Sequence, residues 1–573
     1  MTVSEADDLH AFVIEKSWKA YDASGSMRQV ESGVIGVSEF FRGSMAIAML
    51  ALCFEGLLLG APATSSADSL EQACAGLKDN NSIVRSAQPG PEMVVESTGH
   101  FCVVKGEIKT SPDSVIHFRL DLPEASRWNT KLLMAGDAGF DGYVSTERRG
   151  GLWFEDLLGP DIAQVAAFAL VSSDSGHQGR GTSPAEDFSW VAGNATALRN
   201  HAYEANHTVL VAASALVVQF YGKRASRSYM MGASNGGRAG LAAIQHYPYD
   251  YDGVLSLEPA ISQEGFAANL GPELFRHIFS DPQNWLDPAQ ISLYEKAELA
   301  ECDELDGLKD GILSNYAACT YDAAKLQCKP AEAPSDACLT PGQVETIRRI
   351  HMDKRVPVTL ADGWVGYMGY ERGAESTQWT TIFGPSFAAR EGDHVLIDQI
   401  IKWGITNDPN ASIETHDPTK WGPQYRALSD EIDATNPDLS AFAAHGGKLI
   451  IWYGYSDNGV SPRQTARYVE SVRTKLGEQA TRKFLKFYGS PAMGHELTGP
   501  GSSSVPLFTA LQAWVEQGRL PGQLTATLST GSAQPGATRP LCDFPQYPRY
   551  KDHGDPTKAE SFVCSESRTS PRR

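Results

Sequence analysis

The sequence has little positive charge for its length. Its 573 residues include 49 lysine and arginine residues against 69 aspartate and glutamate residues, a formal net charge of −20. No stretch gathers the basic residues into a cluster. This balance argues against a nucleic-acid groove or an anionic membrane surface as partner. We therefore expect a small or neutral substrate and no nucleic-acid partner, and the sequence leaves the oligomeric state open.

Three further features are missing: an internal repeat, a Cys-x-x-Cys couple and an apolar run long enough for a comfortable membrane span. The absence of Cys-x-x-Cys argues against a zinc site of paired cysteines. The most apolar run, 45–60, has about 15 residues and precedes the small-x-small site Ala61-Pro62-Ala63. It predicts a secretory signal and no stable membrane span in the mature chain.

Two observations complicate the signal prediction. Glu55 interrupts the apolar run, and the run lies far from residue 1, so translation could start at Met27 or at Met45. A buried apolar helix is the alternative interpretation. A lipid anchor on Cys53 is disfavoured, because Leu52 is too large for the position before a lipidated cysteine.

The cysteines indicate export. One of the nine, Cys53, lies in the predicted signal, and the other eight form an even set of couples that are close in sequence. These couples are Cys74 with Cys102, Cys302 with Cys319, Cys328 with Cys338, and Cys542 with Cys564. Such a pattern is typical of disulfides in an oxidising compartment, and reduced core cysteines are the alternative. We expect a secreted or periplasmic protein.

The chain is too long for one compact core. After the N-terminal extension 1–67, apolar strands alternate with helices in 68–260 and again in 436–573, which predicts an α/β fold with a parallel sheet. Between them, 261–435 is rich in tryptophan, tyrosine, glycine and polar residues and lacks this alternation. We interpret this segment as an inserted lid domain.

The motif Gly-x-Ser-x-Gly at 232–236 lies between an apolar strand and a helical run. Its glycines permit the sharp strand-to-helix turn of a nucleophile elbow, which exposes Ser234. The amide of Asn235, at the helix start, is a predicted oxyanion donor. A second donor is expected from the turn at Ala138 and Gly139, for which an ordinary tight turn is the alternative.

Two further polar residues follow predicted strands. Asp457 closes the strand beginning at Lys448, and His495 follows the last predicted strand. The order serine, aspartate, histidine, with acid and base just past strand ends, is that of α/β-hydrolases and predicts a Ser234–His495–Asp457 triad. His177 is a competing base that we interpret as a structural hydrogen-bonding residue.

These residues resemble the tannase and feruloyl esterase family, which also contains the hydrolase of mono(2-hydroxyethyl) terephthalate. The similar stretches are Trp128 to Gly142, Asp174 to His177, Phe220 to Gly222, Ser228 to Arg238, Tyr247 to Gly253, Cys302 to Cys319, Gly454 to Asp457, His495, Arg539 to Cys542, Tyr550 and Cys564. The resemblance implies the same triad, a lid over the active site and a small aromatic ester as substrate, such as a feruloyl or galloyl ester.

One departure from the family concerns a tether. Members usually carry a cysteine before the serine and another after the histidine, joined by a disulfide. Ala233 and Glu496 occupy these positions here, so a tether worth about 2–4 kcal/mol is absent. Either the tether is dispensable, because strand ends already fix both residues, or the triad is looser and less active.

An acidic stretch, 302–313, spaces three aspartates around two glycines. Hard oxygen ligands close in sequence suit Ca²⁺, although the loop is too short for an EF-hand and lacks its final glutamate. The resemblance implies a structural calcium ion in the lid. Its ligands would be the side chains of Asp303, Asp306 and Asp310 and the carbonyls of Leu308 and Ile312. A series of Asp-Gly turns is the alternative.

The predicted reaction is ester hydrolysis through an acyl-enzyme. Aromatic residues of the predicted lid could stack on the acyl group or form lid core, the more common outcome. They are Trp364, Tyr367, Tyr370, Trp379, Phe383 and Trp403. The alternatives are a terephthalate-monoester hydrolase, an acyltransferase with the same triad, and a catalytically silent, calcium-stabilised binding protein.

Overall fold

A computed structural model describes residues 66–79, 94–98, 100–136, 138–144, 161–329, 337–355, 358–495 and 498–567. Contacts divide the chain into two units, Met1–Ala63 and Thr64–Arg573, of which the first lies outside the described residues. The predicted signal segment and Glu496 also lie outside them. None of the described helices is long and apolar enough to cross a membrane.

The described strands form a twelve-stranded sheet and a separate two-stranded ribbon. They are β1 Val94–Thr98, β2 Phe101–Ser111, β3 Ser114–Pro123, β4 Lys131–Ala135, β5 Ala169–Ser173, β6 Arg227–Ala233, β7 Gly253–Leu257, β8 Lys448–Gly454, β9 Leu485–Ser490, β10 Ser502–Ser504, β11 Leu524–Leu528, β12 Thr538–Asp543, β13 Tyr547–Tyr550 and β14 Phe562–Ser565. The large sheet has the order β1-β2-β3-β5-β4-β6-β7-β8-β9-β12-β11-β10, and β13 pairs with β14.

The centre of the large sheet is parallel from β5 to β9, and both flanks are antiparallel. Strands β6, β7 and β8 are almost continuously buried, as expected for parallel strands covered on both faces. Successive side chains alternate between two cores: Val254 of β7 faces one and Leu255 the other. The α/β prediction is therefore confirmed.

Helices cover both faces of the sheet and make up most of the remaining regular structure. The α-helices are Ser66–Asp79, Ile162–Val165, Ala195–Arg199, Ala205–Tyr221, Asn235–His246, Gln263–Gly265, Arg276–Ser280, Pro288–Cys302, Pro341–His351, Glu375–Gln378, Thr380–Phe383, Asp393–Gln399, Gly422–Ile432, Ser440–His445, Pro462–Leu476, Glu478–Thr481 and Leu507–Gln517. The π-helical turns are Asn200–Glu204, Phe266–Phe275 and Ile400–Thr406. The 3₁₀ turns are Pro184–Glu186, Ser189–Val191, Pro282–Asn284, Asp303–Asp306, Tyr316–Ala318, Ala323–Leu326, Ala361–Gly363, Pro418–Lys420 and Ala559–Ser561.

The segment 261–435 has a different character from the sheet. Its described residues contain helices and two isolated bridges but no strand. The loss of strand-helix alternation in the sequence thus corresponds to an all-helical insertion between β7 and β8. The domain boundaries that the sequence suggests for it remain predictions.

Four disulfides join the cysteine couples expected from the sequence. They are Cys74–Cys102, Cys302–Cys319, Cys328–Cys338 and Cys542–Cys564, with Cα–Cα distances of 4.9 to 5.6 Å. The first ties helix Ser66–Asp79 to β2, and the last ties β12 to β14. Two of the four lie in the helical insertion.

Candidate active site

The nucleophile elbow forms where the sequence predicts it. Strand β6 ends at Ala233, Ser234 has φ +57°, and the helix begins at Asn235. A Cβ on Gly232 would lie 2.5 Å from the carbonyl carbon of Gly236, so a side chain there would collide with the helix start. The motif glycines therefore allow the turn to close and hold Ser234, half-buried, at the carboxyl end of the sheet.

The structure brings the three predicted catalytic residues together. Nε2 of His495 lies 3.0 Å from Oγ of Ser234, and Nδ1 lies 2.9 Å from Oδ2 of Asp457. Asp457 is fully buried, whereas the His495 side chain is 21% exposed. Both distances are within hydrogen-bond range, so the three side chains form one hydrogen-bonded chain.

Backbone groups fix the acid and the imidazole. Oδ1 of Asp457 accepts hydrogen bonds from the amides of Gly459 at 2.8 Å and Val460 at 2.9 Å. These bonds leave Oδ2 for His495. A Cβ on Gly459 would lie 2.9 Å from Cγ of His495, so the absence of a side chain lets the ring pack against this turn.

Electrostatics favour a positive charge on His495. Burial lowers the pKa of His495, but the carboxylates of Asp457, Glu258 and Asp393 together outweigh burial and raise it above its ordinary value. An imidazole in this setting is a stronger base than a free one, and its charged form is stabilised.

The helix start at Asn235 is locked by side chains. Nδ2 of Asn235 donates to Asp141 at 3.0 Å, and Oδ1 accepts from Nε of Arg238 at 2.7 Å. The fully buried Arg238 also donates to the carbonyls of His201, Ala202 and Ile432. Since the first amides of a helix lack intrahelical acceptors, the Asn235 amide is available to a negative oxygen.

The turn after β4 lies beside this helix start. A Cβ on Gly136 would lie 2.9 Å from Cα of Gly236, and Asp141 contacts Asn235. Gly139 has φ +60°, and the carbonyl of Ala138 accepts the amide of Asp141 at 3.0 Å. Asp137 lies outside the described residues. The neighbourhood suits an oxyanion donor, and the roles of Ala138 and Gly139 remain predictions.

Sequence reasoning missed a fourth polar residue at the site, Glu258. It directly follows β7, and its Oε2 lies 3.8 Å from Nδ1 of His495. Its side chain is 1% exposed. The available signal was its position, because a carboxylate at the carboxyl end of a parallel strand next to the nucleophile strand lies at the catalytic edge.

The helical insertion contacts the loops that carry the acid and base. Nδ2 of Asn458 donates to Oγ1 of Thr381 at 2.7 Å. A Cβ on Gly494 would overlap Gln378, 1.7 Å from its Cδ. Helix Asp393–Gln399 begins with Asp393, whose carboxylate acts electrostatically on His495. These contacts place the insertion against the triad.

The aromatic residues for which the sequence left stacking on substrate or lid packing open are largely core. Trp364, Tyr367, Tyr370, Trp379 and Phe383 are buried, and Trp403 is half-buried. Trp379, for example, stacks on Tyr294 with 5.4 Å between ring centroids. Of the two alternatives left by the sequence, the structure supports a role in packing.

His177 is not part of the triad. Its Nε2 lies 2.8 Å from the carbonyl oxygen of Phe140, and its ring stacks on Trp190 at 3.6 Å between centroids. Burial lowers its pKa to about 3. These contacts agree with a structural hydrogen-bonding residue.

Two acidic groups have the donors of a cation site. The stretch after Cys302 buries Asp303 and Asp306, and Oδ1 of Asp303 has no hydrogen-bond partner among the described residues. Separately, Glu258, Asp457 and His495 each offer a ligand atom, all within 4.8 Å, and could hold a metal. In this second set, however, hydrogen bonds to Asp457 and Ser234 already engage both ring nitrogens of the histidine.

A small pocket lies between Ile312, Arg539 and the end of β9. It borders the acidic stretch, and none of the triad residues lines it. We therefore do not interpret it as the substrate site.

The parallel sheet, the elbow and the serine–histidine–aspartate chain define an α/β-hydrolase. The chain belongs to the tannase and feruloyl esterase family, which it matches over residues 102–565, and it is a carboxylic ester hydrolase. This finding confirms the resemblance seen in the sequence.

Relatives and solved structures agree with this assignment. An uncharacterized esterase of Agrobacterium fabrum is 31% identical, covering 82% of this chain and 86% of its own. The mono(2-hydroxyethyl) terephthalate hydrolase of Piscinibacter sakaiensis is 29% identical, covering 86% and 91%. The fold is similar to that of feruloyl esterase B from Aspergillus oryzae, with a TM-score of 0.71 at 22% identity, covering 86% of this chain and 100% of that one.

Proposed function

We propose that the protein hydrolyses esters of small aromatic acids through a covalent acyl-enzyme on Ser234. The observation that carries the proposal is the hydrogen-bonded chain from Ser234 through His495 to Asp457. Each of these residues follows a different strand of one parallel sheet, in the chain order of α/β-hydrolases.

In the first half of the reaction, Nε2 of His495 takes the proton of Ser234 as Oγ attacks the ester carbonyl. Asp457 accepts a hydrogen bond from Nδ1–H of His495, which fixes the tautomer and stabilises the imidazolium. The Asn235 amide and a donor from the Ala138–Gly139 turn bind the oxyanion, each worth about 3 kcal/mol. The ester C–O bond breaks, and the alcohol leaves with the proton from His495.

In the second half, water replaces the alcohol. His495 takes a proton from the water as its oxygen attacks the acyl carbon, and the bond to Ser234 breaks. The serine oxygen regains the proton from His495, and the free acid leaves. An acyltransferase would transfer the acyl group to a competing alcohol and release a new ester. A hydrolase releases the free acid, so the product distinguishes the two reactions.

The substrate class rests on family membership and on position. Its relatives include probable feruloyl esterases, and a tannin acyl hydrolase from Aspergillus niger has a similar fold, with a TM-score of 0.60 at 20% identity. The helical insertion lies against the triad loops and thus forms part of the wall around the acyl site. We propose phenolic acid esters, with terephthalate monoesters as the second candidate because of the relative from Piscinibacter sakaiensis.

A substrate panel tests this proposal. Methyl ferulate, methyl gallate, a p-nitrophenyl ester and a terephthalate monoester are incubated with the protein and with Ser234→Ala. We expect free acid from at least one aromatic ester, adduct formation on Ser234 by a serine-directed phosphonate, and neither result with the variant. Hydrolysis that survives Ser234→Ala would overturn the mechanism.

We also propose a structural Ca²⁺ in the insertion, held by Asp303, Asp306 and Asp310 with the carbonyls of Leu308 and Ile312. The donor set fits, because burial and the carboxylates of Asp310 and Asp303 raise the pKa of Asp306 to about 7. A cation would stabilise these charges. Oδ2 of Asp310 already pairs with Arg539, so Asp310 would offer Oδ1, which also accepts the amide of Ile312 at 3.2 Å.

Calorimetry with the metal alone tests the calcium proposal. We expect EDTA to lower the melting temperature and Ca²⁺ to restore it, with a much smaller response in Asp306→Asn. If EDTA and Ca²⁺ leave the melting temperature of the native chain unchanged, the calcium proposal is wrong.

The four disulfides and the signal-like segment support a secreted or periplasmic location. Disulfides persist in oxidising compartments, and small couples such as Cys328–Cys338 are rare in reducing ones. Fractionation of the producing cells, with a cytoplasmic enzyme as control, tests this location.

A further inference from the structure

Four neighbouring strands deliver four side chains to the catalytic edge. Ser234 follows β6, Glu258 follows β7, Asp457 follows β8 and His495 comes after β9, and these strands are adjacent in that order. The carboxyl ends of parallel strands meet at one edge of a sheet. Asp457 and Glu258 are therefore two carboxylates just past the ends of neighbouring strands, both within 4 Å of one imidazole nitrogen.

The backbone binds the Glu258 turn to the nucleophile and to the acid strand. The preceding carbonyl, of Leu257, accepts the amide of Ser234 at 2.9 Å, and the amide of Ala260 donates to the carbonyl of Ser234 at 3.1 Å. The amide of Glu258 itself donates to Trp452 of β8 at 2.9 Å. The position of this glutamate is thus set by the same turn that sets the serine.

The local conformation of Glu258 is strained. Its φ is +43°, in the left-handed region that favours glycine. Its Oε1 accepts the amide of Gly454 at 3.3 Å, which turns Oε2 toward His495. A strained non-glycine residue that persists beside a catalytic group points to a role at the site, since a glycine would fit the backbone better.

We propose that Glu258 is a second acid partner of His495, a positioning residue that acts through the imidazole. In the native protein Asp457 holds Nδ1 at 2.9 Å, and Glu258, at 3.8 Å, adds a negative charge that stabilises the imidazolium. When the carboxylate of Asp457 is removed, Oε2 of Glu258 accepts the hydrogen bond from Nδ1–H instead. The inference rests on the proposed serine mechanism.

Other groups around the ring limit what Glu258 can do. The charged groups that act on His495 are Asp457 from the loop after β8, Glu258 from the turn after β7, and Asp393 from the insertion. Ser234 faces the opposite ring nitrogen. Among the carboxylates that the structure describes, only those of Asp457 and Glu258 lie within 4 Å of Nδ1, so Asp393 contributes charge but cannot replace the acid.

A double-mutant cycle tests the proposal on the best ester of the panel. Glu258→Gln keeps the shape and the acceptor for Gly454 but removes the charge. We expect it to lower kcat/KM by about 3-fold alone and by roughly 30-fold or more in an Asp457→Ala background, because Glu258 then replaces Asp457 as the hydrogen-bond acceptor of Nδ1 and the two substitutions are coupled. Equal factors in both backgrounds would show that Glu258 is only structural and overturn the proposal.

The pH profile supplies a readout that a structural role would not change. The neutral imidazole is the active base, and a nearby negative charge raises its pKa. Removing the charge in Glu258→Gln should therefore move the acidic limb of kcat/KM to lower pH, by roughly one unit. An unmoved limb would contradict the proposal.

Asp393→Asn is the matched comparison. It also removes a charge that acts on His495, so it should shift the limb, but it should give no synergy with Asp457→Ala. If Asp393→Asn and Glu258→Gln lower kcat/KM more in the Asp457→Ala background than alone, and by the same extra factor, the specific role of Glu258 is overturned. If the native protein neither hydrolyses the panel nor reacts with the phosphonate, the proposed function itself fails. An active native protein with an additive cycle rejects only this inference.

Discussion

The catalytic edge of the sheet and the helical insertion are built on different principles. At the edge, strand pairing fixes positions residue by residue: Met231 of β6 pairs with Leu255 of β7, and Leu255 pairs with Ile450 of β8. In the insertion, the described residues contain no strand, and side-chain packing such as the stack of Trp379 on Tyr294 fixes positions instead. The end of a strand can therefore be located from local sequence, whereas the packing partners of a buried aromatic residue cannot.

The two regions also differ in what they contribute to the site: the edge carries the predicted catalytic side chains, and the insertion packs against them. Three predicted catalytic side chains come from the edge, and the insertion contributes contacts from Gln378, Thr381 and Asp393. Substitutions that remove a reacting side chain at the edge should thus affect the chemical step more than stability. Substitutions in the insertion should affect stability or substrate binding first.

The largest effect is expected for Ser234→Ala at the edge. Loss of the nucleophile should lower kcat by about 10⁴-fold or more, while the melting temperature changes little because Ser234 is only half-buried. Steady-state kinetics and calorimetry measure the two quantities. Ser228→Ala, at the other end of the same strand, is the control and should retain activity. A large fall in melting temperature for Ser234→Ala would contradict this separation.

The next effect concerns the insertion. Trp379 is buried and stacks on Tyr294, and it also lies beside Phe383. Trp379→Ala should lower the free energy of unfolding by about 3–5 kcal/mol through the cavity it leaves. Denaturant unfolding measures the loss, and Trp379→Phe should lose less. A raised KM with unchanged stability would instead assign this ring to substrate stacking.

A smaller effect is expected at Gly454, where the acid strand ends. A Cβ there would lie 2.1 Å from the carbonyl oxygen of Met493, two residues before His495 in the same loop. Gly454→Ala should push the acid and base loops apart and cost about 1–3 kcal/mol of stability. We expect a fall in kcat as well, because the Asp457–His495 hydrogen bond lengthens. Gly522→Ala, where a Cβ meets nothing within 4 Å, is the control.

The sequence allowed prediction of the parallel sheet, the elbow turn and the cysteine couples, because each depends on local pattern. It also allowed prediction of the three side chains that meet as Ser234, His495 and Asp457, whose catalytic roles remain predictions. Glu258 was missed, since a single glutamate after a short strand carries no motif. Its importance appears only when β7 and β8 are neighbours and its carboxylate reaches His495. The burial of the insertion's aromatics likewise depends on long-range packing that periodicity does not encode.

The smallest effect should come from the contact that joins the two regions. Thr381 of the insertion accepts a hydrogen bond from Asn458, the residue after Asp457. Thr381→Val keeps the shape and removes the acceptor, together with the longer hydrogen bonds that the hydroxyl donates to the carbonyl of Gln378 at 3.3 Å and to Oδ2 of Asp393 at 3.4 Å. The loss should cost about 1 kcal/mol, or roughly 5-fold in kcat/KM. The matched control is Thr380→Val, whose hydroxyl donates to the carbonyl of Thr377 within the insertion. Because the hydrogen bond positions the insertion and takes no part in proton transfer, the loss should be in KM, with kcat unchanged. A loss in kcat instead would mean that the insertion helps to hold Asp457, and the two regions would then share the chemistry.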